Sequence, residues 1–351
     1  MGGVMNLDTT DRDTLADLGL ASLRWARRLC DPVLRRAVGS IREPLATRAG
    51  YHLGWWGVDR SSAVGGSAGK ALRGALVLAA ATACAGDDSG DAARVAAAVE
   101  LMHNFTLLHD DVMDGDRTRR GRPTVWSVWG VDDAIVLGDA LHAAAIQILT
   151  DMRDQSVAMQ AIMRLERACV ELCVGQSEDC SLGGRMRVTV DDYTRMAAGE
   201  TASLIGCCCA LGALSAHADD AIIAALERFG RELGLAFQFV DDLIGIWGDP
   251  RVTGKPVGRD LARRKATLPV VAALNSGSEA AIELAALYAG GAELTQSDID
   301  RAAELVEVAG GRRAAQRFAD ERLQAAVSAL PDAVGSEELV ALSQLVRRWQ
   351  R

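Results

Sequence analysis

The stretch HNFTLLHDDVMD, residues 103–114, decides how the rest of the chain is read. Asp110 and Asp114 stand four residues apart, so on an α-helix both carboxylates share one face. Asp111 lies about 100° around the same helix, close enough to join them. Three carboxylates ending an apolar run repel one another unless a cation offsets them. Mg²⁺ suits the set: it takes oxygen ligands, accepts one or two carboxylates, keeps waters and bridges to phosphates. A solvated helix end is the plainer alternative, but the preceding ELMHNFTLL is too apolar to rest in water.

Working outward, a second stretch has the same character. In FQFVDDLIGIWGD, residues 237–249, Asp241 and Asp242 again follow an apolar helical run. Two such ends in one helical chain suggest a diphosphate held between helices by several Mg²⁺ ions. Cations accompany both. Lys70 and Arg73 are three residues apart, Arg117, Arg119, Arg120 and Arg122 follow the first acidic stretch, and Lys255 and Lys265 follow the second. Each alone reads as solvated surface. Together they fit two diphosphates, one held through metal and one held directly by Arg and Lys.

The remainder of the chain is compatible with a helical scaffold. It is 49% hydrophobic but only 4% aromatic, a composition that favours packed helices over a sandwich of strands. Helical periodicity recurs from about residue 12 to the C-terminus, with loops expected at 61–69, 85–90, 115–123, 182–185 and 247–258. The expectation is a single all-α domain over residues 1–351, ten to fourteen helices, with residues 1–15 a loose tail. A formal net charge of -9 argues against a sequence-independent nucleic-acid binder, which needs a basic face. The eight cysteines contain no CxxC pair, and Cys207, Cys208 and Cys209 read as small buried hydrophobes, as expected of a reduced, cytoplasmic chain. The N-terminus lacks the apolar region of a signal peptide. The apolar segment 201–216 is somewhat short for a membrane span and reads as a core helix.

HDDVMD followed by RRGRPT, then GQSED, FQFVDD and GKPVGRDLARRKATLP, resembles the trans-polyprenyl synthetase family, and GYHLGWW and DDLIGIWGDP resemble its actinobacterial, geranylgeranyl-type members. The resemblance covers about residues 34–348. It implies an antiparallel helical bundle around a central apolar cavity, of the isoprenoid synthase type, forming a homodimer. It implies condensation of isopentenyl diphosphate with an allylic diphosphate. Isopentenyl diphosphate would be bound by Lys70, Arg73, His103 and Arg120. The allylic diphosphate would be bound by Arg119, Thr201, Gln238, Lys255 and Lys265, with three Mg²⁺ ions on Asp110, Asp114 and Asp241. Asp111 and Asp242 are grouped with these as catalytic carboxylates. Phe105, five residues before Asp110 and beside the small Thr106, would close the tunnel of the growing chain. In the family such a single aromatic goes with products near C20, so geranylgeranyl diphosphate is expected first and farnesyl diphosphate next.

The chain departs from the family pattern in places. Glu200 stands where a lysine usually precedes Thr201, and Gly245 replaces the third aspartate of the second motif. Asp249 is too near Gly248 and Pro250 to replace it with ease. Ala71 and Gly74 replace a usual Arg and Pro. Two other readings compete. A class I terpene cyclase would want a hydroxyl in the register Asp241, Gly245, Asp249, and would leave Lys70, Arg73 and Arg120 with no second diphosphate. A non-catalytic subunit of a heteromeric synthase is motivated by Glu200 and opposed by the intact first motif.

Overall fold

The computed structural model describes residues 9–61, 69, 71–85, 90–182, 188–248, 258–290 and 292–348. Lys70, Asp249 and Lys255 lie outside the described residues. The described residues are 79% helical with almost no strand, so the all-α class holds. Among the described residues there are sixteen α-helices: α1 Thr9–Ser40, α2 Leu45–His52, α3 Leu72–Ala85, α4 Gly90–Met113, α5 Val125–Trp129, α6 Val131–Thr150, α7 Gln155–Leu182, α8 Val190–Ala197, α9 Ser203–Ser215, α10 Asp220–Trp247, α11 Arg259–Ala262, α12 Leu268–Leu274, α13 Glu279–Ala289, α14 Gln296–Val308, α15 Gly311–Ser328 and α16 Glu337–Arg348. A π-helical turn, Ala198–Ala202, joins α8 to α9. The count exceeds the expected fourteen because short pieces such as α5, α11 and α12 carry too few residues to show a period.

Two expectations need correcting. Residues 9–15 are helix, not tail. The stripe Ala16, Leu23, Ala26, Cys30, Leu34 and Val38 is buried along α1, and no Gly or Pro stops that helix from propagating back to Thr9. Within the loop expected at 115–123, Thr118–Arg119 (β1) and Arg122–Pro123 (β2) form a two-stranded antiparallel hairpin. Arg119 pairs with Arg122, and the two residues between them, Arg120 and Gly121, have φ of 52° and 74°. Positive φ at both central positions is the signature of a type I′ turn, which matches the twist of the flanking strands.

Contacts group the chain into two units: Met1–Glu166 with Cys208–Ala224 and Pro331–Leu342, and Arg167–Cys207 with Ala225–Leu330 and Ser343–Arg351. In the first, α4 is central. It packs on α1, α3 and, most extensively, α6. Residues 95–99 are all buried, as are Leu101, Met102, Phe105 and Leu108. A helix apolar all round is one enclosed all round, and this one carries the first acidic motif out of the core at its C-terminal end. In the second unit, Ile246 of α10, Leu261 of α11, Val270 and Ala273 of α12, Leu284 of α13, and Ala302, Leu305 and Val306 of α14 form one apolar cluster.

Among the described residues two helical stretches are long and apolar enough to cross a membrane by length and composition, Val131–Thr150 and Val190–Ser215. The apolar window of the latter, which contains the segment read as a core helix, is 89% buried within the protein.

At the π-helical turn two glycines meet. Gly199 lies against Gly175 of α7, and a Cβ on Gly175 would overlap the backbone N of Glu200. Gly175→Ala is therefore expected to destabilise the protein by about 1–3 kcal/mol through overpacking. Gly39→Ala is the control, since nothing stands within 4 Å of its would-be Cβ. Thermal unfolding of both variants checks this; equal midpoints would contradict it.

Candidate functional site

In the first unit, Asp110 and Asp114 occupy the end of α4. The Asp114 N–H donates to the Asp110 carbonyl at 2.8 Å, so helical geometry continues through Asp114 and the i, i+4 relation holds. Both side chains are partly exposed. Asp111 differs. It is 1% exposed and accepts a hydrogen bond from Arg119 Nε at 2.6 Å. Burial raises its pKa, and Arg119 opposes that rise. Asp111, grouped by sequence with the catalytic carboxylates, faces inward and anchors Arg119, because adjacent residues on a helix point about 100° apart.

The hairpin carrying Arg119 and Arg120 is itself held in place. Arg122 donates to the carbonyls of Tyr51 and Trp56 at 3.1 and 2.8 Å, and its guanidinium lies 4.2 Å from the centroid of the Tyr51 ring. Tyr51 Oη donates to the Pro123 carbonyl at 2.8 Å, and Trp56 Nε1 donates to the Thr47 carbonyl at 2.8 Å. GYHLGWW is thus the seat of RRGRPT. A cleft beside it is lined by His52, Asp111, Arg119, Arg120 and Arg122.

Arg73 Nη1 lies 3.0 Å from His103 Nε2. Burial, then the charges of Arg73, Arg120 and Arg119, hold the His103 pKa well below 6.5, so the neutral ring accepts from Arg73. Of the four residues expected to meet isopentenyl diphosphate, the structure brings Arg73 and His103 into contact. Gly74, where a proline is usual, donates its N–H to Glu100 Oε1 at 2.9 Å, a bond proline could not make.

His52 belongs to the same positive field and was not read from sequence; a lone histidine between apolar residues gave no signal. Burial, then Arg120 and Arg119, lower its pKa to about 3. Its Nε2 is buried without a hydrogen-bond partner among the described residues. The unfolded chain takes up the proton near pH 6.5 while the folded one refuses it until about pH 3. The stability this contributes is present above pH 6.5 and is lost as pH falls through that window. His52→Gln should flatten unfolding free energy against pH there by about 1.4 kcal/mol per pH unit. Denaturant titrations from pH 4 to 7 check this; parallel slopes would contradict it.

Phe105 is 9% exposed, and its ring packs against His109 and His142. Thr106 beside it is buried, its hydroxyl donating to the His103 carbonyl at 2.8 Å.

In the second unit the other acidic pair behaves like the first. Asp241 is exposed, whereas Asp242 is 4% exposed. Asp242 accepts from Tyr193 Oη, from the Leu268 N–H at 2.8 Å and from Gln238 Nε2 at 3.1 Å. Burial raises its pKa to about 7 against those bonds. Like Asp111 it is an internal anchor, here tying α10 to α8 and to the start of α12. Thr201 Oγ1 donates to Gln238 Oε1 at 2.8 Å, so Thr201, Gln238 and Asp242 form one chain of bonds. Lys265 pairs with Asp179 of the GQSED segment at 3.3 Å. Glu200 sits half-buried in the π-helical turn, next to Thr201. Gly245 also finds a reason: a Cβ there would overlap the carboxylate of Asp260.

Among the described residues no three His, Cys, Asp or Glu side chains cluster as a ready-made metal cage. Mg²⁺ does not require one, since it is commonly held by one or two carboxylates, waters and substrate phosphates. The partly exposed Asp110 and Asp114, with oxygen donors on one helical face, fit that mode of binding.

The family model for polyprenyl synthetase matches residues 61–306, which run through both units. The chain is 70% identical over 349 residues to a geranylgeranyl diphosphate synthase of Mycobacterium tuberculosis, covering 99% of each. It is 42% identical over 309 residues to a (2E,6E)-farnesyl diphosphate synthase of Mycobacterium bovis, covering 87% of this chain and 84% of that one. The crystal structure of a polyprenyl synthetase from Streptomyces coelicolor A3(2) superposes with a TM-score of 0.87 at 40% identity, covering 93% of this chain and 98% of that one.

Proposed function

Because the chain belongs to the polyprenyl synthetase family, we propose that its main product is geranylgeranyl diphosphate, with farnesyl diphosphate next. The protein is a trans-prenyltransferase that joins isopentenyl diphosphate to an allylic diphosphate, in a family that generally uses Mg²⁺. The observation carrying the C20 product is Phe105: buried, five residues before Asp110 on one helix, and fixed by ring contacts on two sides. The 70% identity to a geranylgeranyl diphosphate synthase supports the same length.

In this reading Asp110, Asp114 and Asp241 would hold three Mg²⁺ ions. When bound, they supply the positive charge that lets the allylic diphosphate leave with the electron pair of its C–O bond. Arg119, steadied by Asp111, meets the same diphosphate, with Thr201, Gln238, Lys255 and Lys265. Arg73, oriented by neutral His103, holds the isopentenyl diphosphate with Lys70 and Arg120. The C3=C4 double bond of the isopentenyl group then bonds through C4 to the allylic carbon, and loss of a proton from C2 to the departed diphosphate restores a double bond between C2 and C3. The allylic cation requires surroundings that keep water from capturing it. No side chain is assigned as general base; the departing diphosphate serves. The functional unit is a cytoplasmic homodimer. The exposed Val131 and Val136 of α6 and Met159 and Met163 of α7 support such pairing, since apolar surface of this kind is suited to a second copy.

Incubation with labelled isopentenyl diphosphate and dimethylallyl, geranyl or farnesyl diphosphate tests this reading. Linear products ending mainly at C20 support it. Products ending at C15 would overturn the length assignment, hydrocarbon would indicate a cyclase, and no turnover a partner subunit.

A further inference from the structure

Turnover as described makes no use of His142 or Glu166, yet both are arranged around Phe105. The His142 ring on α6 stacks on the Phe105 ring, with centroids 5.1 Å apart and planes 17° from parallel. His142 Nε2 lies 2.7 Å from Glu166 Oε1 on α7. A carboxylate only accepts, so Nε2 carries the proton and donates it to this bond, and the bond selects one orientation of the imidazole plane. On the other side His109 meets Phe105 edge-on, centroids 4.9 Å apart at 77°. His109 Nε2 lies 3.0 Å from the Ile135 carbonyl, at a place open only because Gly138 has no Cβ. Phe105 is thus clamped between two imidazoles, each fixed by its own acceptor.

The geometry points to His142, held by Glu166, as the positioning residue that sets product length by keeping the Phe105 ring in one rotamer. The inference rests on Phe105 as the floor of the tunnel. A growing hydrocarbon chain presses on whatever closes its path, and a lone phenylalanine yields by turning to another staggered well. The stack opposes that turn. The energy range of an aromatic pair corresponds to about twofold to tenfold in the population of a displaced ring. The His142–Glu166 pair is 31% and 38% exposed, so it adds little to stability, and its removal tests positioning rather than folding.

The test is chromatography of dephosphorylated products from farnesyl diphosphate and excess isopentenyl diphosphate, with a melting temperature for each variant. The variants are Phe105→Ala, His142→Ala, His142→Phe, Glu166→Gln and the double Phe105→Ala/His142→Ala. His142→Ala should raise the share of products longer than C20 by about twofold to tenfold, and Glu166→Gln should shift it less, in the same direction. His142→Phe, which keeps a stacked ring, should restore the distribution. The double variant should make products no longer than Phe105→Ala alone, because without the ring there is nothing to hold. If Phe105→Ala lengthens the products while His142→Ala and Glu166→Gln do not, the clamp is wrong and the floor stands. If His142→Ala lengthens them and Phe105→Ala does not, His142 meets the chain directly and the proposal fails. If neither does, floor and clamp fall together. Should His142→Ala fail to fold, Glu166→Gln and His142→Phe decide alone.

Discussion

Asp110→Ala and Asp114→Ala are each expected to lower turnover on the order of 10³-fold or more, as losing a principal electrostatic contribution to the transition state does. Stability should hold or rise slightly. The two carboxylates are partly exposed on one face, and removing either relieves like-charge repulsion. Turnover is read from diphosphate release at saturating Mg²⁺, and stability from thermal unfolding. Asp→Asn at the same positions preserves shape and should lose nearly as much, because charge rather than bulk is required. Near-normal rates in either alanine variant would remove these residues from the metal site.

Arg119→Ala is expected to behave differently, losing stability as well as rate. It leaves the Asp111 carboxylate, 1% exposed, without its side-chain donor among the described residues. Its second oxygen, Oδ2, already lacks a hydrogen-bond partner among the described residues. Breaking a buried ion pair from one side typically costs about 3–5 kcal/mol; Arg119 is itself 28% exposed, so the lower end applies. The apparent KM for the allylic substrate should rise if this guanidinium meets its diphosphate as proposed. The double variant Arg119→Ala/Asp111→Ala should recover much of the stability and none of the rate. That split separates the anchoring contact from the binding one. A double variant as unstable as Arg119→Ala would show that the buried charge is not the cause. The Gly175 and His52 variants probe the scaffold in the same way, one through packing and one through proton linkage.

The two adjacent-aspartate motifs illustrate what a sequence can and cannot carry. That HDDVMD ends an apolar helix is legible from spacing alone, and so is the shared face of Asp110 and Asp114; QFVDD, read as a second such end, lies inside α10, which runs on to Trp247. Which aspartate of each pair turns inward is not legible. It depends on donors far along the chain, Arg119 for Asp111, and Tyr193 with the Leu268 N–H for Asp242. The type I′ turn at Arg120–Gly121 had a local signal, a glycine between residues able to pair, but the basic run around it reads as a solvated loop. The departures at Gly74 and Gly245 acquire reasons only in three dimensions, from an N–H that reaches Glu100 and a space filled by Asp260. Positions 1–8, Lys70, Asp249 and Lys255 lie outside the described residues, so the expectations placed on them rest on sequence.

The reaction assigned to this chain couples departure of the allylic diphosphate to attack by isopentenyl diphosphate. The most direct test measures diphosphate release from farnesyl diphosphate and Mg²⁺, with and without isopentenyl diphosphate, alongside the mass of the product. Release that requires isopentenyl diphosphate, matches it mole for mole in a C20 product, and stops when Mg²⁺ is chelated is the result expected. Release from farnesyl diphosphate alone, with isopentenyl diphosphate left unconsumed, would contradict it.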